Sequence, residues 1–346
     1  MSDQTPPSRA LIAGTVSFYI SSALGMVMAN KWVLNSSETP LSFLLIQLLI
    51  AVVLLAICRA SGRLQFSMGW RIDYEATKAL APLIILNVLG LSFNTYCLKF
   101  VDASFYQVAR GLVLPFTVVT SYIFLKSRPS LRILFSCFVV FCGFLVGVSP
   151  SNSTQSASSR GFTFVGIVFG LLSSVVTACH VVVIKRSLGV LNNSALDLAW
   201  YSNVLTAIVL FPGIFLVGEW PELVDLFTNA PALKFNTFVW GCALTGFIGF
   251  LISVAGILSV KITSPITHMV SSAVRGVGAT MLGLWLFGDV ITVQRALSIL
   301  TILAGSLWYT WIKHQESLPA DASKGDYQKI SMTNLEEAND KEEREA

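Results

Sequence analysis

The sequence predicts an all-α polytopic membrane protein, with ten transmembrane helices arranged as two five-helix repeats of opposite orientation. Three observations predict it. Of the 346 residues 54% are hydrophobic and only 12% charged, with a mean hydropathy of +0.71, far outside the composition of soluble domains. The apolar residues gather into ten runs of about 20, the length that crosses a bilayer. Finally, Arg110 and Arg275 lie inside two of these runs, five runs apart, in the related strings Val108-Ala109-Arg110-Gly111 and Ala273-Val274-Arg275-Gly276. Matching intramembrane arginines in corresponding runs suggest an internally duplicated transporter.

The first run, residues 11–30, follows a polar, proline-bearing N-terminal segment, residues 1–10, and lacks a small-residue cleavage site. It therefore reads as a span rather than a removed leader. Asn30-Lys31 should end that helix, with Lys31 snorkelling to the interface or reaching into a cavity mouth. Runs at 41–58, 79–98, 103–125 and 131–148 complete a first repeat over 11–148. Residues 149–160 are Ser-rich and lack apolar periodicity, as a flexible linker between halves would. Runs at 161–184, 197–217, 238–258, 264–287 and 293–312 build the second repeat, 161–315. Residues 316–346 are charged and turn-rich and read as a disordered tail.

Charge placement orients the spans. Arg59, Arg63, Arg71, Lys78, Lys126, Arg128, Arg132, Lys185, Arg186 and Lys261 fall on one side of the membrane, together with both termini. That side should be cytosolic. The sequon Asn35-Ser36-Ser37 and the linker with Asn152 then face the lumen, and Asn192 the cytosol.

A guanidinium near mid-bilayer costs at least ~2.5–3.5 kcal/mol on insertion scales, so Arg275 should face a watered cavity or an anion. Around it Ser271, Ser272, Ala273, Gly276 and Gly278 would let a ligand or another helix approach the backbone. In an inverted repeat Arg110 faces Arg275 across the central cavity. No Asp or Glu falls deep in any run, and no GxxxxGK, HExxH, CxxC or GxSxG string occurs. ATP-driven transport, proton pumping and enzymatic catalysis are therefore unsupported, and neither a cofactor nor a metal is expected. A cavity whose buried ions are arginines should bind an anion and exchange it for another.

The six cysteines read as small core residues. His180 and His268 stand apart from carboxylates in sequence and read as packed or hydrogen-bonded. Trp200-Tyr201-Ser202-Asn203 is either an interfacial aromatic belt or a stacking surface with an amide for a nucleobase. Trp308, Tyr309 and Trp311 beside Lys313 read as a belt alone.

Several of these segments resemble the nucleotide-sugar transporters of the drug/metabolite transporter superfamily, and among them GDP-fucose transporters most. The segments are Asn30-Lys31, the stretch from Phe93 to Lys126 with its Phe105-Tyr106 to Arg110 string, Tyr201-Ser202-Asn203, and Lys261 to His268. The resemblance implies ten helices in two inverted halves and residence in the Golgi or endoplasmic reticulum. It also implies exchange of cytosolic nucleotide sugar for lumenal nucleoside monophosphate. The candidate substrate-binding residues are then Arg275, Arg110, Tyr106, Tyr201, Ser202, Asn203, Ser271, Ser272, Asn30, Lys31 and Lys261. Two departures from the family pattern bear on specificity. Guanine-sugar carriers typically read Phe-Tyr-Asn-Asn where this chain has Trp200-Tyr201-Ser202-Asn203, and mannose carriers place a lysine where Arg275 stands. An arginine there still holds a diphosphate bidentately. GDP-mannose, UDP-galactose or UDP-galactofuranose carriage, or phosphate-ester exchange of the triose-phosphate type, remain the alternatives. Membrane lipid surrounds such a chain, a homodimer is left open, and no nucleic acid is expected.

Overall fold

The computed structural model describes residues 9–62, 74–126, 128–149, 157–191, 194–262, 265–289 and 291–317. Asn152, Asn192 and the tail after Ser317 lie outside the described residues, as do the side chains of Lys261, His268 and Ser272. The described residues form helices and their connections, with no strand among them: α1 (Arg9–Ser36), α2 (Pro40–Ala60), α3 (Tyr74–Phe100), α4 (Ala103–Gly111), α5 (Val113–Leu125), α6 (Leu131–Val148), α7 (Ala157–Val190), α8 (Ala195–Val217), α9 (Trp220–Thr228), α10 (Ala232–Ile262), α11 (Pro265–Phe287) and α12 (Val293–Ser317). Over the described residues each predicted run falls within one of these helices, except that the run at 103–125 is divided between α4 and α5; Ser264, the first residue of the run at 264–287, lies outside the described residues. Among the described residues eight segments are long and apolar enough to cross a membrane, and Val274–Phe287 is a shorter apolar helix. Large apolar side chains such as Phe124, Leu131, Trp240 and Trp285 face outward, as the lipid-facing surface of a polytopic protein requires. The protein is an all-α polytopic membrane protein.

Three boundaries differ from expectation. α1 does not stop at Asn30-Lys31 but runs on to Ser36, because Val33 and Leu34 continue its buried stripe into the cluster with Phe43 and Phe238. Asn35 and Ser36 of the sequon thus belong to its last turn rather than to a loop. The span at 103–125 is divided at Leu112. Pro115 has no N–H for the Gly111 carbonyl and its ring crowds that oxygen, while the Leu112 N–H turns back to Ala109 O at 3.1 Å. The Ala109 carbonyl also accepts from Ser174 Oγ of α7 at 2.7 Å. Lastly, α9 forms within what reads as a loop. α8 ends at Gly218 in the left-handed region, with φ 81°, and Pro221 then sits in the first turn of α9, where its missing N–H costs nothing.

Helix pairing recurs across the molecule. α3 packs on α7 as α10 packs on α1; α5 packs on α7 as α11 packs on α1; α2 meets α10 as α8 meets α3. α6 and α12 cross each other by reciprocal contacts. A Cβ at Gly143 would lie 2.9 Å from Ile302 Cγ1 and 3.2 Å from Ser298 O, and one at Gly305 would lie 2.7 Å from Val140 Cγ2 and 3.2 Å from Ser136 O. The spacing Ser, Val or Ile, Gly is the same on both helices, and Ser298 Oγ donates to Gly143 O at 2.6 Å. Glycine at these positions lets the two backbones touch, the means by which helices associate in lipid.

Candidate functional site: an arginine-lined cavity

The division at Leu112 leaves Arg110 in the last turn of α4, midway along the span. The C-terminal end of a helix carries partial negative charge and favours a cation. Arg110 donates from Nη1 to Tyr106 Oη at 2.9 Å, and its guanidinium carbon lies 5.7 Å from the Tyr106 ring centroid. Tyr106 is itself buried in the core cluster, so it holds Arg110 from behind. On α11, Arg275 Nη1 lies 3.5 Å from Tyr19 Oη of α1. Both arginines line one cavity of about 460 Å³, walled by α4, α5, α7, α11 and α12. Gln107, Thr117, Ser306 and Tyr309 supply its other polar side chains, Gly276 leaves the α11 backbone open beside Arg275, and no carboxylate belongs to the described wall.

A second cavity, of about 220 Å³, adjoins the first through their shared Arg110 and Val113. Asn87, Asn94, Ser173, Thr177 and His180 line it. The Asn87 amide donates to Ser202 Oγ at 3.2 Å and to Thr206 Oγ1 at 2.8 Å, which sets Ser202 of α8 directly behind this wall.

The remaining predicted residues divide. Ser271 is buried on α11 one turn before Arg275. Tyr201 packs in an apolar cluster with Leu80, Leu83, Leu198 and Leu205 and lines neither cavity. Asn203 and Asn30 are half-buried and also line neither. Lys31 is spent elsewhere: its ammonium donates to Leu98 O at 2.9 Å and to Val101 O at 2.7 Å, which caps the C-terminal end of α3. It does not line the arginine cavity. Tyr309, read from sequence as part of an aromatic belt, instead lines that cavity, while Trp308 and Trp311 face outward. His180 is placed on a cavity wall rather than packed away, with Nε2 buried and unpartnered among the described residues.

Other charges gather where α3 ends and α4 begins. Asp289 Oδ2 accepts from the Ala103 N–H at 3.0 Å, capping α4, and Arg295 Nη1 donates to Asp102 Oδ2 at 2.8 Å and to Ser104 Oγ at 3.1 Å. Burial, and next the negative charge of Asp102, hold the Asp289 carboxyl above the usual carboxylate range. At the same end Glu219 accepts from the Leu41 and Ser42 N–H groups, from Ser42 Oγ and from Tyr96 Oη, all within 2.9–3.2 Å, capping α2. The arginine cavity extends the other way, from Gln107 to Thr117 along α4 and α5 and from Ile299 to Tyr309 along α12.

With this geometry in view, a sequence model of the triose-phosphate transporter family matches residues 11–310. The chain is 32% identical over 310 residues to GDP-fucose transporter 1 of Dictyostelium discoideum, covering 88% of this chain and 81% of that protein. It is 30% identical over 337 residues to GDP-fucose transporter 1 of Mus musculus, covering 94% and 90%. A GDP-mannose transporter of Coccidioides immitis is 20% identical over 314 residues, covering 86% and 79%. A solved crystal structure shares the fold, with a TM-score of 0.52 at 13% identity over 90% of this chain and 100% of that one.

Proposed function

The chain belongs to the triose-phosphate transporter family, and from that premise we propose that it is a nucleotide-sugar antiporter of the Golgi membrane. It exchanges cytosolic nucleotide sugar, GDP-fucose first among the candidates, for lumenal nucleoside monophosphate. The observation that carries this reading is the convergence of Arg110 and Arg275, from different helices, on one cavity with no carboxylate in its described wall. Two guanidiniums in a partly dry site bind a diphosphate through charge-assisted, forked hydrogen bonds. Emptying such a cavity exposes two like charges to each other, so the return step favours a loaded carrier; a nucleoside monophosphate supplies that load. GDP-fucose leads the candidates because relatives sharing about a third of the sequence over most of its length carry that name, as does a Golgi relative of Drosophila melanogaster.

The recurrent helix pairs and the reciprocal α6–α12 crossing support two inverted repeats, over 11–148 and 161–315, joined by the linker at 149–160. With the basic loops cytosolic, the capped end bearing Lys31, Asp102, Glu219 and Asp289 is lumenal, and the arginine cavity extends toward the cytosol.

Uptake of labelled GDP-fucose into liposomes that hold the purified protein tests the reading. Preloading with GMP should accelerate uptake strongly, UMP less, and a pH gradient alone should not drive it. Acceleration by inorganic phosphate but by neither nucleotide would favour a phosphate-ester exchanger of the triose-phosphate type.

A further inference from the structure

We propose that the nucleotide sugar lies in the arginine cavity with its hexose innermost, against the Gln107 carboxamide, its diphosphate between Arg110 and Arg275, and its nucleoside reaching toward Tyr309. Gln107 then separates the sugar-bearing substrate from the bare nucleotide. This rests on the nucleotide-sugar reading above and gives that substrate a direction.

The cavity is unequal about its arginines. On α4 its described wall starts at Gln107, three residues before Arg110, and on α5 it runs to Thr117, seven residues after. At ~1.5 Å per helical residue this is about one turn on one side and about two on the other. Beyond Gln107 the helices close. Ala103 is fully buried, Asp289 Oδ2 accepts from its N–H at 3.0 Å, and a Cβ at Gly283 of α11 would lie 3.1 Å from Ala103 Cβ. A hexose is a single ring, whereas a nucleoside is a base joined to a ribose. With the diphosphate on the arginines, the shorter arm of the substrate fits the closed end and the longer arm the other.

The two ends also differ in chemistry. Gln107 is half-buried, lines the cavity and makes no hydrogen bond among the described residues. A Cβ at Gly276 would lie 3.9 Å from its Oε1, which places the amide across from the α11 backbone beside Arg275. Such an amide keeps two donors and an acceptor for a ligand, and the hydroxyls of a hexose both donate and accept. Tyr309 is the one aromatic residue of the described wall. With Leu114 it flanks the apolar cluster of Val118 and Ile133, which sets it at the Thr117 end, and Ser306 precedes it by one turn. A ring and hydroxyls among apolar side chains suit a nucleobase, which stacks on a π-face and is fixed at its polar edge.

The test compares GDP-fucose with GDP, which share base, ribose and both phosphates. Affinities of the purified full-length protein for each are measured by calorimetry, for the parent and for Gln107→Met, Gln107→Asn and Tyr309→Leu. Methionine nearly matches glutamine in shape, and retained GDP binding itself reports a folded site, which size-exclusion profiles also check. Gln107→Met should weaken GDP-fucose about three- to tenfold and change GDP by less than about twofold, with Gln107→Asn in between. Tyr309→Leu should weaken both ligands alike, by about tenfold. Equal falls for both ligands in the folded Gln107 variants, or no fall for GDP-fucose there, overturn the placement of the sugar. A Tyr309→Leu protein that loses GDP-fucose and keeps GDP overturns it as well. A parent protein that binds inorganic phosphate but neither GDP nor GDP-fucose gives a different result: it removes the nucleotide-sugar reading, and the orientation with it.

Discussion

At the N-terminal end of α4, charges face one another or the ends of helices. Arg295 meets Asp102, Asp289 meets the Ala103 N–H, and Lys31 meets the last carbonyls of α3. At the other end of the same helix, two turns on, Arg110 meets a tyrosine hydroxyl and a cavity that it shares with a second arginine. Both ends carry cations inside the fold, and their surroundings give them different work. In the first group each charge is matched within the fold, so its worth is stability. In the second the proposed substrate brings a further charge to meet them. A lysine or arginine inside a span therefore marks a binding site only when the structure leaves it facing a cavity.

The contrast is most sharply broken or confirmed at the arginines. Arg275→Ala should abolish transport and Arg275→Lys should weaken it, since lysine keeps the charge and loses the planar fork. Losing one charge-assisted contact costs roughly 1.5–3 kcal/mol, an affinity drop of about ten- to a hundredfold. Thermal stabilisation of the folded variants by GDP-fucose reads this out, and Arg110→Ala should behave the same way. Full stabilisation of Arg275→Ala would sink the distinction between the two ends.

Next in size comes Glu219→Gln. The buried carboxylate caps α2 with several hydrogen bonds, so the variant should lose about 1–3 kcal/mol of stability. Its melting temperature should fall while GDP-fucose affinity stays within about twofold. Lys31→Met should behave similarly with a loss of about 1–2 kcal/mol, because two carbonyls of the α3 end lose their donor. A Lys31→Met protein that melts like the parent but binds GDP-fucose tenfold more weakly would return Lys31 to the binding site. The smallest effect is expected for Arg295→Gln. Asp102 is half exposed in that ion pair, and exposed pairs contribute about 0–1 kcal/mol, so its melting temperature should barely move.

Much of this fold was legible in the sequence because a span is a composition signal: over the described residues every apolar run lies in a helix or, once, in a pair of helices. What escaped was set by single residues. Pro115 announces the division of α4 from α5 only when its missing bond to Gly111 is considered, and the apolar run conceals it. α9 is nine residues long, too short to register as a span, although Gly218 and Pro221 punctuate it. In the site, paired strings in the sequence brought out Arg110 and Arg275, and the structure places both on one cavity. Gln107, Asn87 and Tyr309 have no such echo. Each is a polar side chain with several others on its helix, and only packing decides whether it faces lipid, core or cavity. Lys31 shows the converse error. Its position beside Asn30 suggested a helix end, whereas the end it serves is that of α3, distant in sequence and adjacent in space.

The reciprocal crossing of α6 and α12 has a consequence for biogenesis. Gly143 and Ser136 present their contact face as soon as α6 is made, but Ser298 and Gly305, which fill it, are encoded near the end of the described chain. At ~5–20 residues per second the interval is on the order of 10–30 s. During that time the glycine-lined face of α6 that receives α12 stays without its partner, although α4 and α5 already pack on other parts of α6, and α1 and α3 likewise wait for α10 and α7. The first half cannot mature as a unit before the second is translated. A truncation just short of α12 should therefore leave a chain that inserts fully and is then degraded rather than retained.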